Sequence, residues 1–380
     1  MISALFFVWF SVALLWTVNA LRKPTPPGEG LAPLWFPGMI VSELAGVFLL
    51  TRALTAAIFL YLGAAELAIG KAGFVLFVIS GIGLVVIIAR AIRASRDLNH
   101  RVSLSDMLEV WDRTPPDEEV VAEVQYATDL TLNVHRRKGT SNAPTLVYLH
   151  PGSWMRGKPG RQARPLVHRL VAAGWVVLDV RYPLSPAATF PDHVVGVKRA
   201  IAWAKQDGVG FGVDPARVVV SGGSAGAHLA AIAALTPHRL ELQPGFEESD
   251  VSVIGCLPFY GIFDLFNRNN TRYDWPFVAK HVMKAKRDEA ADLYQLGSPL
   301  DLVYPGAPPF HIVHGEFDSV VLPAESTHLF DALNNLGNTV QLTVVGAAQH
   351  GFDGLSGLRA KAIGAACAEW LNDIAAHPTR

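Results

Sequence analysis

Cysteine is nearly absent from this chain of 380 residues, with only Cys256 and Cys367, each inside an apolar stretch. Two thiols without any Cys/His spacing exclude a disulfide framework and a thiolate metal centre, so buried free cysteines are expected. Charge is also scarce. Asp, Glu, Lys and Arg make up 17% of the residues and the net charge is −1, so the bulk balance carries no basic footprint of the kind nucleic-acid binding requires. Internal repeats are missing as well, which leaves non-repetitive architectures.

What the chain has in excess is apolar sequence, concentrated in the first hundred residues. Met1 to Ala20 is an almost unbroken apolar run of bilayer-crossing length, closed by Leu21-Arg22-Lys23-Pro24. No basic region precedes it and its small-residue cleavage pattern is poor, so an uncleaved span is favoured over a signal peptide. Pro24 to Pro37, with Trp35-Phe36, reads as a short interfacial loop carrying aromatic anchors. Met39 to Leu62 is mostly apolar but holds Glu43 and Arg52. Such charges are costly at bilayer depth, so they sit near the ends, face another helix or mark a re-entrant segment. Ala72 to Ala89 is the clearest span, with Ser80-Gly81-Ile82-Gly83 as a close-packing face and Arg90, Arg93, Arg96 and Arg101 after it. Residues 1–100 thus read as a membrane region with two or three transmembrane helices. Three spans place the following domain in the cytoplasm by the positive-inside rule; if residues 39–62 do not cross, the charge clusters fall on opposite sides and an extracytoplasmic domain is the alternative.

Residues 101–118 read as a connector, and 119–380 as one α/β domain of a length that buries a large core. Two alternating β-rich stretches, 119–126 and 129–136, predict an antiparallel hairpin at a sheet edge. Short apolar runs without alternation follow at 145–150, 175–180, 217–221, 254–260, 310–314 and 340–345, as expected for strands covered on both faces. Helical stretches near 162–173, 193–206, 225–235, 324–336 and 358–376 complete a mostly parallel sheet with helices on both sides. Residues 263–304 break the alternation and read as a cap insertion shaping a pocket, with Tyr273, Trp275, Phe277 and Met283 as its apolar contributors.

The densest chemistry lies at Val218 to Leu229, where a β-branched run breaks into Gly222-Gly223-Ser224-Ala225-Gly226 and resumes as an Ala/Leu-rich helical pattern. This is the G-x-S-x-G elbow, in which a serine is held on a tight strand-to-helix turn and flanking glycines let the two elements approach closely. A serine hydroxyl needs a base, and the base an acid. The order nucleophile, acid, histidine is met by Asp318, just beyond an apolar strand, and His350, in the loop after the last strand. Glu316 and Asp264 are alternatives for the acid, and Asp353 follows His350 too closely to orient it. His228 and His311 read as packing residues, and His314 as a support for the acid loop. Oxyanion donors are expected from the N–H of Ala225 and from Gly152 and Ser153, since Pro151 has no N–H.

Taken together, His150-Pro151-Gly152-Ser153-Trp154, Arg181-Tyr182-Pro183-Leu184-Ser185, Asp214-Pro215, Gly222 to Leu229, Tyr260-Gly261, His314-Gly315 with Asp318, and His350 resemble the hormone-sensitive-lipase-like α/β-hydrolases. Within them the likeness is greatest to kynurenine formamidase-like and isoprenylcysteine methylesterase-like enzymes and to membrane-anchored bacterial carboxylesterases, and it runs from about residue 119 to the end. The resemblance implies an α/β-hydrolase fold, a carboxylester hydrolase and a Ser224-Asp318-His350 triad. Pro151 and Ser153 replace the first and third glycines of the family's oxyanion motif. The expected activity is therefore hydrolysis of a small-molecule or lipid-like ester at a membrane, with no metal or organic cofactor and no nucleic-acid partner; an amidase such as an arylformamidase, or a non-catalytic membrane receptor, is the alternative.

Overall fold

A period of two along the strands sends alternate side chains to opposite faces of the sheet. On β3 (Ala143–Leu149) Val147 and Leu149 join one apolar cluster while Leu146 and Tyr148 join the other, and on β5 (Val213–Gly223) Val218 and Val220 oppose Val219 in the same way. The structure, a computed structural model, describes residues 1–25, 34–160, 162–273 and 275–378. Among these, eight strands form one sheet in the order β1-β2-β4-β3-β5-β6-β7-β8. The expected edge hairpin is β1 (Glu118–Ala127) with β2 (Leu130–Arg137), antiparallel, and β2 pairs antiparallel with β4 (Val176–Val180). Every pairing from β4 through β3, β5, β6 (Gly255–Phe259) and β7 (Phe310–Gly315) to β8 (Val340–Val345) is parallel.

Helices cover both faces, as parallel strands buried on two sides require. The face holding Val147 and Val220 is covered by α6 (Asp192–Gln206), α7 (Ala225–Leu235) and α9 (Ala324–Asn335), whereas α5 (Arg164–Ala172) and α10 (Leu358–Ala376) cover the other. Residues 263–304 contain a π-helical turn (Val278–Met283) and α8 (Ala291–Leu296), and much of the segment is buried in the main core. Both cysteines are buried and free.

Ahead of this domain lie α1 (Ile2–Leu21), α2 (Trp35–Glu43), α3 (Ala45–Tyr61) and α4 (Ala68–Asp97). Helices α1 and α4 are each long and apolar enough to cross a membrane, whereas α2 and α3 meet at 83°. The second apolar segment is therefore broken rather than continuous, and its two charges explain the break. Arg52 turns to another apolar helix, its Nη1 donating to Thr17 Oγ1 at 2.6 Å. Glu43 turns the opposite way, to the α/β domain: it is fully buried and accepts from Arg359 Nη1 on α10 at 3.0 Å. Of the Ser80–Gly83 face, Ser80 and Gly83 do the packing, Gly83 lying against Thr17, while Gly81 faces open space.

Further ties join the two parts. Lys361 on α10 pairs with Asp106 and Glu109 of the connector, and Asp112 accepts from His168 Nδ1 at 2.8 Å. Lys23, after α1, reaches Glu316 at 3.8 Å, and both Lys23 and Arg90 lie over the Phe317 ring. The Lys23–Glu316 contact is exposed and worth little; the Lys361 and His168 pairs are largely buried, and the Glu43–Arg359 pair is dry. Arg359→Met leaves the Glu43 carboxylate buried without its partner, a change that costs about 3–5 kcal/mol. Denaturation of the detergent-solubilised chain should register that loss, and adding Glu43→Gln should recover part of it.

Candidate active site

Strand β5 ends at Gly223, and the chain reverses into α7 through Ser224, whose φ of 52° and ψ of −116° lie outside the helical and extended regions. The turn is held by Ser224 N–H on the Phe259 carbonyl at 2.9 Å and by His228 N–H on the Ser224 carbonyl at 3.0 Å. It also requires bare backbone at the flanking positions. A Cβ on Gly226 would stand 2.1 Å from the Leu149 carbonyl oxygen, and one on Gly222 2.6 Å from the same atom. Helix α7 then buries all eleven of its residues, which explains its run of small side chains.

Two loops at the same end of the sheet bring their side chains to Ser224. Asp318 lies three residues beyond β7, fully buried, and its Oδ1 accepts the N–H groups of Val320 and Val321 at 2.9 Å each. Its Oδ2 accepts from His350 Nδ1 at 2.6 Å. On the other side of that imidazole, Nε2 lies 3.1 Å from Ser224 Oγ, the distance of a hydroxyl donating to nitrogen. Burial alone would raise the Asp318 carboxyl, but facing His350 and the hydrogen bonds from His314 and His350 hold it well below the usual carboxylate range. An ionised Asp318 fixes the His350 proton on Nδ1 and leaves Nε2 free to accept.

The loop after β3 carries the remaining expected residues. Gly152 has φ of 144°, and Ser153 and Trp154 follow with φ of 55° and 59°. This hairpin-like path is closed by Met155 and Arg156 N–H donating to the Gly152 carbonyl, both at 3.1 Å. Among the described residues no carbonyl takes the N–H of Gly152, Ser153 or Ala225, so three donors remain for a ligand oxygen. Gly152, Ser153, Ser224 and His350 all line one cavity of about 870 Å³, at the upper end of the range for ligand sites.

The other histidines and acids are accounted for away from Ser224. His228 Nδ1 accepts from Trp154 Nε1 at 3.1 Å while its Nε2 donates to the Gly297 carbonyl at 2.7 Å, and burial pushes it down to about 3. His314 braces the acid loop through Val321 and Ser326, and His311 bonds Thr343. Glu316 accepts from Ala347 N–H, and Asp264 takes the N–H groups of Phe266 and Arg268. Among the described residues no group of three or more His, Cys, Asp or Glu side chains could hold a metal ion.

Two features lay outside the sequence reading. Trp35, Phe36, Met39 and Ile40 of α2 line the cavity, and the Trp35 ring meets His350 edge-on, centroids 5.6 Å apart at 87°. Residues 35–37 are thus helical and part of the site rather than interfacial loop; residues 26–33 of that loop lie outside the described residues. From the segment 263–304, Trp275 and Phe277 face the cavity as expected, stacked at 5.8 Å, but Met283 is core and Tyr273 does not reach the cavity. The second feature is a contact between two residues already named: Asp353, set aside as the acid, is buried behind His350 and accepts from the Tyr260 hydroxyl, whose ring lies 4.8 Å from the imidazole.

The BD-FAE family profile matches residues 132–333 of the 380. The chain belongs to the BD-FAE family. Esterase LipQ of Mycobacterium tuberculosis is 38% identical over 61% of this chain and 56% of its own length, so the present chain spans little more than half of that relative. Esterase LipC of the same organism is 32% identical over 72% of each chain. A solved structure, a truncated carbohydrate esterase from gut microbiota, superposes with a TM-score of 0.60 at 21% identity, covering 70% of this chain and all of that one. The fold is that of the α/β-hydrolases, and the likeness to their hormone-sensitive-lipase-like esterases stands.

Burial raises the Asp353 carboxyl to about 6, against the hydrogen bond from Tyr260, which lowers it. An unfolded aspartate titrates near ~3.9, so the BD-FAE fold binds this proton more tightly than the unfolded chain and stability falls as pH rises from about 4 to about 6. Roughly two pH units correspond to ~3 kcal/mol. Relative to the native chain, Asp353→Asn should therefore gain about that much stability between pH 4 and pH 7, read by urea denaturation at each pH.

Proposed function

We propose that this chain is a membrane-anchored serine carboxylesterase in which Ser224, His350 and Asp318 form the catalytic triad and Gly152, Ser153 and Ala225 donate to the oxyanion. The observation that carries this reading is the unbroken chain of contacts from Asp318 Oδ2 through both His350 nitrogens to Ser224 Oγ. The esterase relatives support the reaction class.

Ser224 Oγ attacks the ester carbonyl as its proton passes to His350 Nε2, and the carbonyl oxygen becomes an oxyanion facing the three free N–H groups. The positive end of α7 adds to that stabilisation. Asp318 stays ionised and offsets the imidazolium charge while keeping the ring aligned. Collapse of the intermediate breaks the C–O bond, and His350 returns its proton to the leaving alcohol. Water then attacks the acyl-serine, giving its proton to His350, and the second intermediate collapses as His350 passes that proton to Ser224 Oγ, releasing the carboxylic acid. Each step closes within these side chains, so the reaction calls for no metal or organic cofactor.

The two long apolar helices and the broken α2–α3 pair support a multi-pass membrane region over residues 1–100, joined by the connector 101–118 to the hydrolase domain 119–380. A bilayer and an ester-bearing small molecule or lipid are then the partners. Arg90 of α4 reaches the Leu21 carbonyl at the end of α1, and α3 runs back along α1 with Arg52 on Thr17 and Phe59 against Phe6, so the basic residues after α1 and α4 fall on one side. This supports a cytoplasmic hydrolase domain by the positive-inside rule.

A fluorophosphonate probe should label the native chain covalently, and Ser224→Ala should abolish labelling and lower ester turnover roughly a million-fold. Labelling that survives Ser224→Ala would sink the mechanism. Asp318→Asn keeps the shape of the acid but lets His350 adopt the wrong tautomer, so kcat should fall about ten-thousand-fold with the fold intact by circular dichroism.

A further inference from the structure

One wall of the cavity comes from outside the α/β domain. Trp35, Phe36, Met39 and Ile40 supply it from α2, and Trp275, Phe277 and Val320 also line the cavity. The α2 residues do not belong wholly to the cavity. Phe36 is 53% and Trp35 37% exposed, so each ring has one side toward Ser224 and another toward the surroundings. An apolar passage from outside to the reacting serine therefore runs along the first turn of α2.

The depth of that passage relative to a membrane is set by α1. The Asn19 side chain clamps the start of α2, its Nδ2 donating to the Leu34 carbonyl and its Oδ1 accepting the Leu34 N–H, both at 2.9 Å. Asn19 lies two residues before the end of the apolar helix α1, about 3 Å along its axis at helical rise. Arg90 of α4 reaches the Leu21 carbonyl at 3.5 Å, and Arg22 and Lys23 follow immediately. Apolar helices that end together among cations, with Trp and Phe beside them, mark the level of lipid headgroups. The mouth formed by Trp35 and Phe36 lies at that level.

We infer that the substrate of this site is a long-chain acyl ester dissolved in the bilayer, which enters past Trp35 and Phe36 and lays its chain against Met39 and Ile40 of α2. The inference rests on the hydrolase reading and adds the source of the ester and the residues that select it. An amphiphile at the interface carries its ester at headgroup depth and its chain below, so it reaches the mouth without transfer through water. Short soluble esters need only the triad and the oxyanion donors, not the wall of α2.

The full chain is reconstituted in phosphatidylcholine vesicles and given 4-nitrophenyl palmitate in the bilayer or 4-nitrophenyl butyrate in the aqueous phase. Palmitate turnover should follow its mole fraction in the bilayer at fixed total concentration. Phe36→Ala and Ile40→Ala should each lower the palmitate-to-butyrate ratio of kcat/KM about tenfold. Ile40→Trp, which fills the wall instead of emptying it, should move the preferred acyl length downward. An unmoved ratio in variants that a fluorophosphonate still labels at Ser224 overturns the inference, as does palmitate turnover that tracks bulk concentration alone. A native chain that the probe does not label overturns the hydrolase reading and this inference with it.

Discussion

The site depends on one backbone turn that a serine does not adopt unaided. A positive φ at a residue with a Cβ costs on the order of 1–3 kcal/mol and persists only where the surroundings over-determine it. Here they do. Two hydrogen bonds hold the Ser224 peptide, Gly222 and Gly226 let β5 and α7 close on the Leu149 carbonyl, and α7 is buried along its whole length. The apolar covering of both sheet faces thus has a chemical consequence, because it holds Ser224 Oγ where His350 can reach it.

The second requirement is the loop that carries His350, and its support comes from both parts of the chain. On the sheet side it follows β8; on the other side it meets the N-terminal helices. Gln349 Nε2 reaches the Ala20 carbonyl at 3.5 Å, Trp35 closes edge-on over the imidazole, and Arg359, nine residues after His350, is bound to Glu43. A buried ion pair contributes little net stability but is costly to break on one side, which suits it to fixing a register. The pair sets how α2 sits on α10, and with it the position of Trp35 over His350.

Much of the α/β domain was legible because its physics is local. Strands β3, β4, β6 and β7 are mostly buried apolar runs bounded by turns, and strands β3 to β8 fell within a few residues of their expected limits. Edge strand β8, expected to be covered on both faces, is half exposed because no strand among the described residues pairs beyond it. The Gly-Gly-Ser-Ala-Gly break, Asp318 and His350 were legible because strand-to-helix order puts all three at one end of a parallel sheet. The part played by α2 was not. Nothing in Trp35 to Ile40 distinguishes a helix that walls a pocket from one that touches lipid, since both demand apolar side chains. Glu43 was the available clue. A carboxylate inside an apolar run needs a partner, but that partner, Arg359, lies more than three hundred positions away, and a single sequence does not reveal such a pairing. The cap segment failed in part for the same reason: Met283 and Trp275 are equally apolar, and only the path of the chain between them sends one to the core and the other to the cavity.

Three carboxylates near His350 offer a test of what makes an acid fit to hold it. Glu316 is turned toward the Ala347 N–H and Lys23. Asp353 is as deeply buried as Asp318 and nearer in sequence, yet its side-chain partner is the Tyr260 hydroxyl, and burial raises its carboxyl to about 6. An acid that takes up its proton near pH 6 is a poorer counter-charge for an imidazolium than one held ionised. Asp318 faces the same desolvation, but His350 and His314 beside it reverse the shift, while two backbone N–H groups hold its other oxygen in place. Environments that drive two neighbouring acids apart in this way assign their roles. These environments support Asp318 as the acid of the proposed triad, with Asp353 behind the ring as a polar support for Tyr260.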